Sequence, residues 1–354
     1  MRLINNTRMP ATFTVGMDPD GRESLVIVVK GTFTIPGDGG IVRLSEEQAP
    51  FVLADVFSGN PASSAPVYEA EFALRKLRCD VLLNGSAYAP DQRPATRVQV
   101  GVAIGAWNKT FEVVGDRHWL LGVSSFGATA PKPFVRLPIS YDVAFGGTDA
   151  HHEDVAQHAV FAPNPVGRGF HRHLEAKWVE GSPLPNTQEL HDDIRIPNGR
   201  YRPMAFGPVG RGWEPRIGFA GTYDQQWLDT GFPFLPRDFD DQYYQAAPAD
   251  QQISCPTGEQ TITLLNLTAD GRRTFRMPAF RASVQIEPRG GAPEAGSLTL
   301  DTIVLEPDDA RMSLIWRCTR ALRRDIFEIN QVIVGNGTRV FPVRLAPSAT
   351  GATV

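Results

Sequence analysis

The chain has 354 residues, 42% of them hydrophobic and 21% charged, the make-up of a globular protein long enough to bury a sizeable core without cross-links. Its formal net charge of -4 gives no electrostatic pull toward nucleic acid or an anionic membrane. Three scattered cysteines, Cys79, Cys255 and Cys318, with no Cys-x-x-Cys, argue against a disulfide scaffold or a zinc framework and read as free thiols in a reducing compartment.

The N-terminus, MRLINNTRMP, lacks the apolar stretch of a signal peptide, and the longest strongly apolar run, residues 25–29, is too short to span a bilayer. The expected location is the cytoplasm. Residues 24–35 (SLVIVVKGTFTI) are rich in β-branched side chains and read as a strand. Residues 96–104 alternate, with Val98, Val100, Val102 and Ile104 on one face and Arg97 and Gln99 on the other, which predicts a strand with one buried side. Residues 69–74, 80–87, 109–114 and 134–139 are further candidates, separated by turn signals at 36–40, Asn84-Gly85 and Gly115-Asp116.

The middle has another character. Residues 136–252 hold 12 Gly, 12 Pro, 16 of the chain's 33 aromatics and six of its seven histidines, with no sustained period of 2 or 3.6. Disordered segments are poor in aromatics, so this composition predicts ordered but irregular backbone. After it the strand grammar returns at 260–268, 273–277, 281–287, 297–305, 311–317, 331–334 and 338–343, while only 240–246 and 319–328 read as helical. The expected fold is mostly β, antiparallel sheets in a sandwich or barrel-like arrangement. The expected division is an N-terminal β domain at 1–135, the irregular segment at 136–252 packed on the sheets, a C-terminal β domain at 253–346 and a disordered tail at 347–354.

The pentapeptide Pro-Val-Gly-Arg-Gly occurs twice, at 165–169 before Phe170 and at 208–212 before Trp213. Glycines on either side of the Arg permit positive φ and aim the guanidinium at one place. Arg168 and Arg211 then either bind carboxylates of a partner or staple their own loops to internal acids, for which Asp142, Asp149, Asp224, Asp238, Asp240 and Asp241 are candidates. Phe170, Trp213 and Trp227 are candidate apolar anchors. The nine aromatics from Trp213 to Tyr244 suit a glycine-rich core somewhat more than an interface. Gly146-Gly147-Thr148-Asp149 reads as a turn followed by a capping or cation-binding carboxylate.

The cluster of His151, His152, Glu153, Asp154 and His158, and the pair His171 and His173, raise a metal site, but no metal-binding framework such as His-Glu-x-x-His is present and none is expected. No phosphate-binding loop, dinucleotide fingerprint or Gly-x-Ser-x-Gly exists, and nothing selects a pair of catalytic carboxylates. No cofactor or catalytic residue is assigned. The enzymatic alternative is a hydrolase or carbohydrate-processing activity using Asp and His of the middle segment.

The ordered set SYDVAFGGTD, NPVGRGF, FGPVGRGWEPR, AGTYDQQW, LPRDFDDQYYQAAPADQQ, then LDTIVLEPD and MSLIWR, resembles the domain-of-unknown-function family 2169. The resemblance runs over residues 3–343 and is densest at 141–252. It implies a gene setting among bacterial type VI secretion genes, beside the spike trimer and effectors with a PAAR-like tip domain. The implied role is a non-enzymatic adaptor or chaperone that helps such an effector fold and load onto the spike. The alternative within that setting is a structural component secreted with the spike. The resemblance supplies no catalytic residues.

Overall fold

The computed structural model describes residues 1–123, 125–335 and 339–341. It is mostly β, with several antiparallel sheets, two short α-helices among the described residues and no closed barrel. The central sheet runs in the order Gln252–Ile253, Cys79–Leu83, Thr299–Glu306, Arg311–Ala321, Glu23–Thr34, Ala11–Met17, with Arg43–Leu44 also on Glu23–Thr34. All its pairings are antiparallel except Cys79–Leu83 with Thr299–Glu306. A second, five-stranded antiparallel sheet runs Thr187–Gln188, Trp107–Val114, Arg97–Ile104, Thr261–Leu265, Arg272–Arg276. A four-stranded sheet joins Arg2–Asn5, in parallel, to Ile329–Val334, then Ser283–Pro288 and Glu294–Ser297. Both larger sheets take strands from the first and last thirds of the chain, so their pairings cross the boundaries expected at 135 and 252.

Burial explains the two strand signatures. Arg97–Ile104 alternates because one side, Val98, Val100, Val102 and Ile104, enters the main core. Glu23–Thr34 does not alternate because it is buried on both sides. Leu25, Ile27, Val29 and Phe33 enter the main core with Phe111, Ile262, Phe275 and Trp316. Val26 and Val28 enter a second cluster with Leu82, Val304, Ile315 and Ala246, covered by Phe51, Tyr68, Phe72 and Tyr244. That second side also carries buried charges. Arg317 pairs with Asp301 at 2.6 Å, Lys30 with Glu71 at 2.7 Å and Lys76 with Asp80 at 2.6 Å.

Two expected elements are corrected. Residues 69–74 are not a strand; the local strand is Pro66–Tyr68, and Glu69 and Glu71 turn to meet Arg211, Arg216 and Lys30. Residues 319–328 are not one helix. Thr319, Arg320 and Ala321 continue the strand because they pair with Val26, Leu25 and Ser24, and only Ile326–Glu328 forms a 3-10 turn. The expected helix at 240–246 is the 3-10 turn Asp241–Tyr244. Of the expected strand 338–343, Arg339–Phe341 pairs with Ala279–Arg281. The tail at 347–354 lies outside the described residues. All three cysteines are free, with Cys79 and Cys318 in the main core and Cys255 half-buried.

Candidate functional site

The first pentapeptide copy interlocks with the Phe-Gly-Gly-Thr-Asp turn. Phe145 and Gly146 pair in parallel with Arg168 and Gly169. Fully buried Asn164 ties the two together, its Nδ2 donating to Tyr141 O (2.9 Å) and Phe145 O (3.1 Å). Gly146 and Gly169 have φ of 151° and 91°, and a Cβ would meet Asn164 O at 2.2 Å and Pro185 Cδ at 2.5 Å respectively. These glycines are needed for close approach as well as for dihedral freedom. Phe170 packs here on Phe145 and Phe161 in a satellite core around Trp119 and Leu184. Arg168 is weakly held: its one ion pair, to Asp116, spans 3.9 Å, and its buried Nε has no hydrogen-bond partner among the described residues.

The second copy has a different shape. Gly210 presses on the Trp213 indole, whereas a Cβ on Gly212 would meet nothing within 4 Å. Of the four glycines flanking the two arginines, only Gly169 has positive φ. Arg211 grips Asp55 with two hydrogen bonds (2.8 and 3.2 Å) and reaches Glu69 Oε1 at 2.5 Å. Arg216 also bonds that Glu69 oxygen and donates to Val209 O and Tyr243 O. Arg211 is therefore a staple, though to acids outside the six expected from the sequence. Those six have other uses. Asp142 accepts from Ser58 and Ala65, and Asp241 pairs with Arg75. Although burial pulls the Asp55 carboxyl upward, hydrogen bonds from Arg211 and the Ala70 amide hold it below its ordinary value. Trp213 is buried in the main core, edge-on to Tyr141, and is unavailable as a surface anchor.

Beyond the second copy comes an aromatic structure built on Trp227. Asp224 caps the helix Gln225–Thr230 by accepting from the Trp227 amide. The Trp227 indole N–H donates to Phe234 O at 2.9 Å, and its ring meets Tyr223 and Phe232 edge-on. Asp238 closes the base by accepting from the Thr222 amide and hydroxyl, and Asp240 caps the next turn through the Gln242 amide. Trp227 is half-buried, but Ile217, Tyr223, Leu228, Phe232 and Phe234 are exposed, Phe232 by 66%. The aromatic run thus divides: Trp213 is core, and residues 217–234 offer apolar side chains to solvent.

A cleft of about 390 Å³ lies nearby, lined by Lys109, Tyr141, Arg202, Glu214, Arg216 and Asp250 among others. Burial pushes Lys109 down to about 8, although Asp250 at 3.1 Å pulls the other way. Lys109 also donates to Gln251 Oε1 at 2.6 Å, and Arg202 bonds Asp250 at 2.7 Å. These cations are engaged by the cleft wall itself.

The parallel pairing of 145–146 with 168–169 brings the next residues of both segments together. Buried Asp149, exposed His151 and buried His171 each place a ligand atom within 4.8 Å of the other two. His173 does not share this cluster as a ligand partner of His171. It lies in a bend rather than a strand, and its backbone N (3.0 Å) and Nδ1 (3.3 Å) contact Asp149 Oδ2. Sequence reading noticed Asp149 and both histidines but had no means to see that the turn and the bend meet.

The sequence profile of a bacterial family of uncharacterized proteins, DUF2169, matches residues 20–317. No curated protein and no solved structure matches the chain. No helix among the described residues is long and apolar enough to cross a membrane. The profile spans the five-stranded sheet, most of the central sheet, the two pentapeptides and the aromatic segment at 217–234, and on that match the chain belongs to the bacterial family DUF2169.

Proposed function

We propose that the protein is a non-enzymatic adaptor that binds an effector carrying a PAAR-like domain and helps to load it onto a type VI secretion spike. The observation that carries this reading is the aromatic projection at 217–234. It is internally ordered by a helix cap, an indole hydrogen bond and two ring contacts, yet leaves Tyr223, Leu228, Phe232 and Phe234 in solvent. Clustered exposed apolar side chains on a pre-formed support are what a protein-binding surface needs, because little entropy is lost when the partner arrives. Aromatic residues are also the side chains that dominate interface energetics. Within 217–238 exposed Asp224, Asp229 and Asp238 outnumber exposed Arg237, so an apolar partner patch with a basic rim fits this segment. The choice of effector and spike as partners rests on the family resemblance.

The test is co-expression with a PAAR-like effector, followed by pull-down on the effector. Wild type is expected to be captured, and the pair Leu228→Asp with Phe232→Asp to be lost from the complex while unfolding at a temperature close to wild type. Soluble, spike-loaded effector in cells lacking this protein would overturn the reading.

A further inference from the structure

We propose that Asp149, His151 and His171 bind one divalent transition-metal ion of the zinc class, with His173 and Ser182 orienting the ligands from behind. Proximity alone, ligand atoms within 4.8 Å, would be weak ground. The independent observation is the state of His171, which is 6% exposed. The Ser182 hydroxyl donates to Val179 O at 2.6 Å, so toward His171 Nε2, at 2.9 Å, it acts as acceptor. The proton of the neutral ring therefore sits on Nε2, and Nδ1 presents a lone pair. That Nδ1 is buried and has no hydrogen-bond partner among the described residues. A buried acceptor left unsatisfied is costly, and a metal ion resolves the cost.

The supporting contacts have the form found behind metal-bound imidazoles and carboxylates. Ser182 fixes the His171 tautomer, and His173 bonds one oxygen of Asp149. Two imidazoles and one carboxylate suit zinc and its neighbours, whereas calcium and magnesium prefer all-oxygen sites. Bonds of about 2.0–2.1 Å put tetrahedral donors roughly 3.3 Å apart. The three donors, now within 4.8 Å of one another, must draw together, and His151, the exposed one, is free to rotate toward the ion; the fourth position is left to water. This proposal stands apart from the adaptor reading, since its ligands lie outside the aromatic projection.

The experiment is calorimetric titration of untagged, chelator-stripped full-length protein with zinc chloride, with calcium chloride as control. Saturable 1:1 binding of zinc but not calcium is expected, accompanied by a rise in unfolding temperature. His151→Ala removes an exposed ring that stacks beside His171 and Trp178; it is expected to weaken binding at least tenfold while the metal-free protein unfolds near the wild-type temperature, and His158→Ala to leave binding unchanged. Absence of 1:1 binding, or equal affinity in wild type and His151→Ala, overturns the site.

Discussion

Arg168 and Arg211 stand at the same place in identical pentapeptides, yet their surroundings predict opposite responses to Lys. At Arg211 the guanidinium makes a two-pronged contact with Asp55 and a third with Glu69. An ammonium reaches one of these oxygens and forfeits the fork. Losing a charge-assisted hydrogen bond costs about 1.5–3 kcal/mol when dry. The Arg211 side chain is 35% exposed and Asp55 21%, and Arg216 still serves Glu69, so solvent screening reduces this to about 1–2 kcal/mol. Among the described residues the Arg168 guanidinium has an ion pair only with a half-exposed Asp116, at 3.9 Å, and its Lys variant is expected within about 0.5 kcal/mol of wild type. Urea unfolding at neutral pH measures both, and effector pull-down adds a second axis. Equal losses in the two variants, or a larger loss at Arg168, would refute the division into one staple and one weakly paired cation. Weakened capture with unchanged stability for Arg168→Lys would mark that residue as a partner contact.

Gly169→Ala is expected to cost about 2–4 kcal/mol, from a positive φ and a Cβ 2.5 Å from Pro185 Cδ, while Gly212→Ala stays within about 0.5 kcal/mol; urea midpoints of the two variants decide it. Asp301→Ala strands the Arg317 guanidinium in a pair only 3–4% exposed and is expected to cost about 3–5 kcal/mol, with a loss under about 1 kcal/mol contradicting the pairing. Lys109 has a folded value of about 8 against 10.5 in the open chain, so between those values the unfolded state binds more protons and stability rises with pH. Relative to Lys109→Met, wild type is expected to gain about 2 kcal/mol between roughly pH 7.5 and 10, and a flat difference would mean that burial does not depress the lysine.

The strands were legible where one physical signal governed them. Arg97–Ile104 shows its single buried side as alternation, and Glu23–Thr34 shows its two buried sides as an unbroken β-branched run. The errors fell where tertiary pairing overrode local preference. The helix formers after Thr319, Arg320 and Ala321, lie in register against Leu25 and Ser24, and eleven continuous pairs outweigh a propensity of tenths of a kcal/mol per residue. Glu69 and Glu71 read as alternate positions of a strand, but their carboxylates answer arginines and a lysine that are remote in sequence. Periodicity carries no information about such partners. The Asp55 partner of Arg211 lies 156 residues away for the same reason.

The doubled pentapeptide shows why a repeated sequence need not be a repeated shape. Its first glycine has one task in both copies, admitting a close neighbour: a Cβ added at Gly167 would lie 2.3 Å from Asn164 Nδ2, and one added at Gly210 would lie 2.6 Å from the Trp213 ring. The second glycine has no common task, being left-handed and crowded at 169 and unconstrained at 212. What differs is the flanking chemistry. The first copy follows a buried asparagine whose amide binds the 141–145 backbone, and so it pairs with Phe145 and Gly146. The second precedes a tryptophan that sinks into the main core and an arginine that anchors to Glu69, and so it turns. Glycine permits both outcomes, and the neighbours choose. Choosing the paired form at 165–169 is also what carries Asp149 to His171. The local geometry of one copy, absent from the other, is thus the condition for the cluster that its downstream residues form.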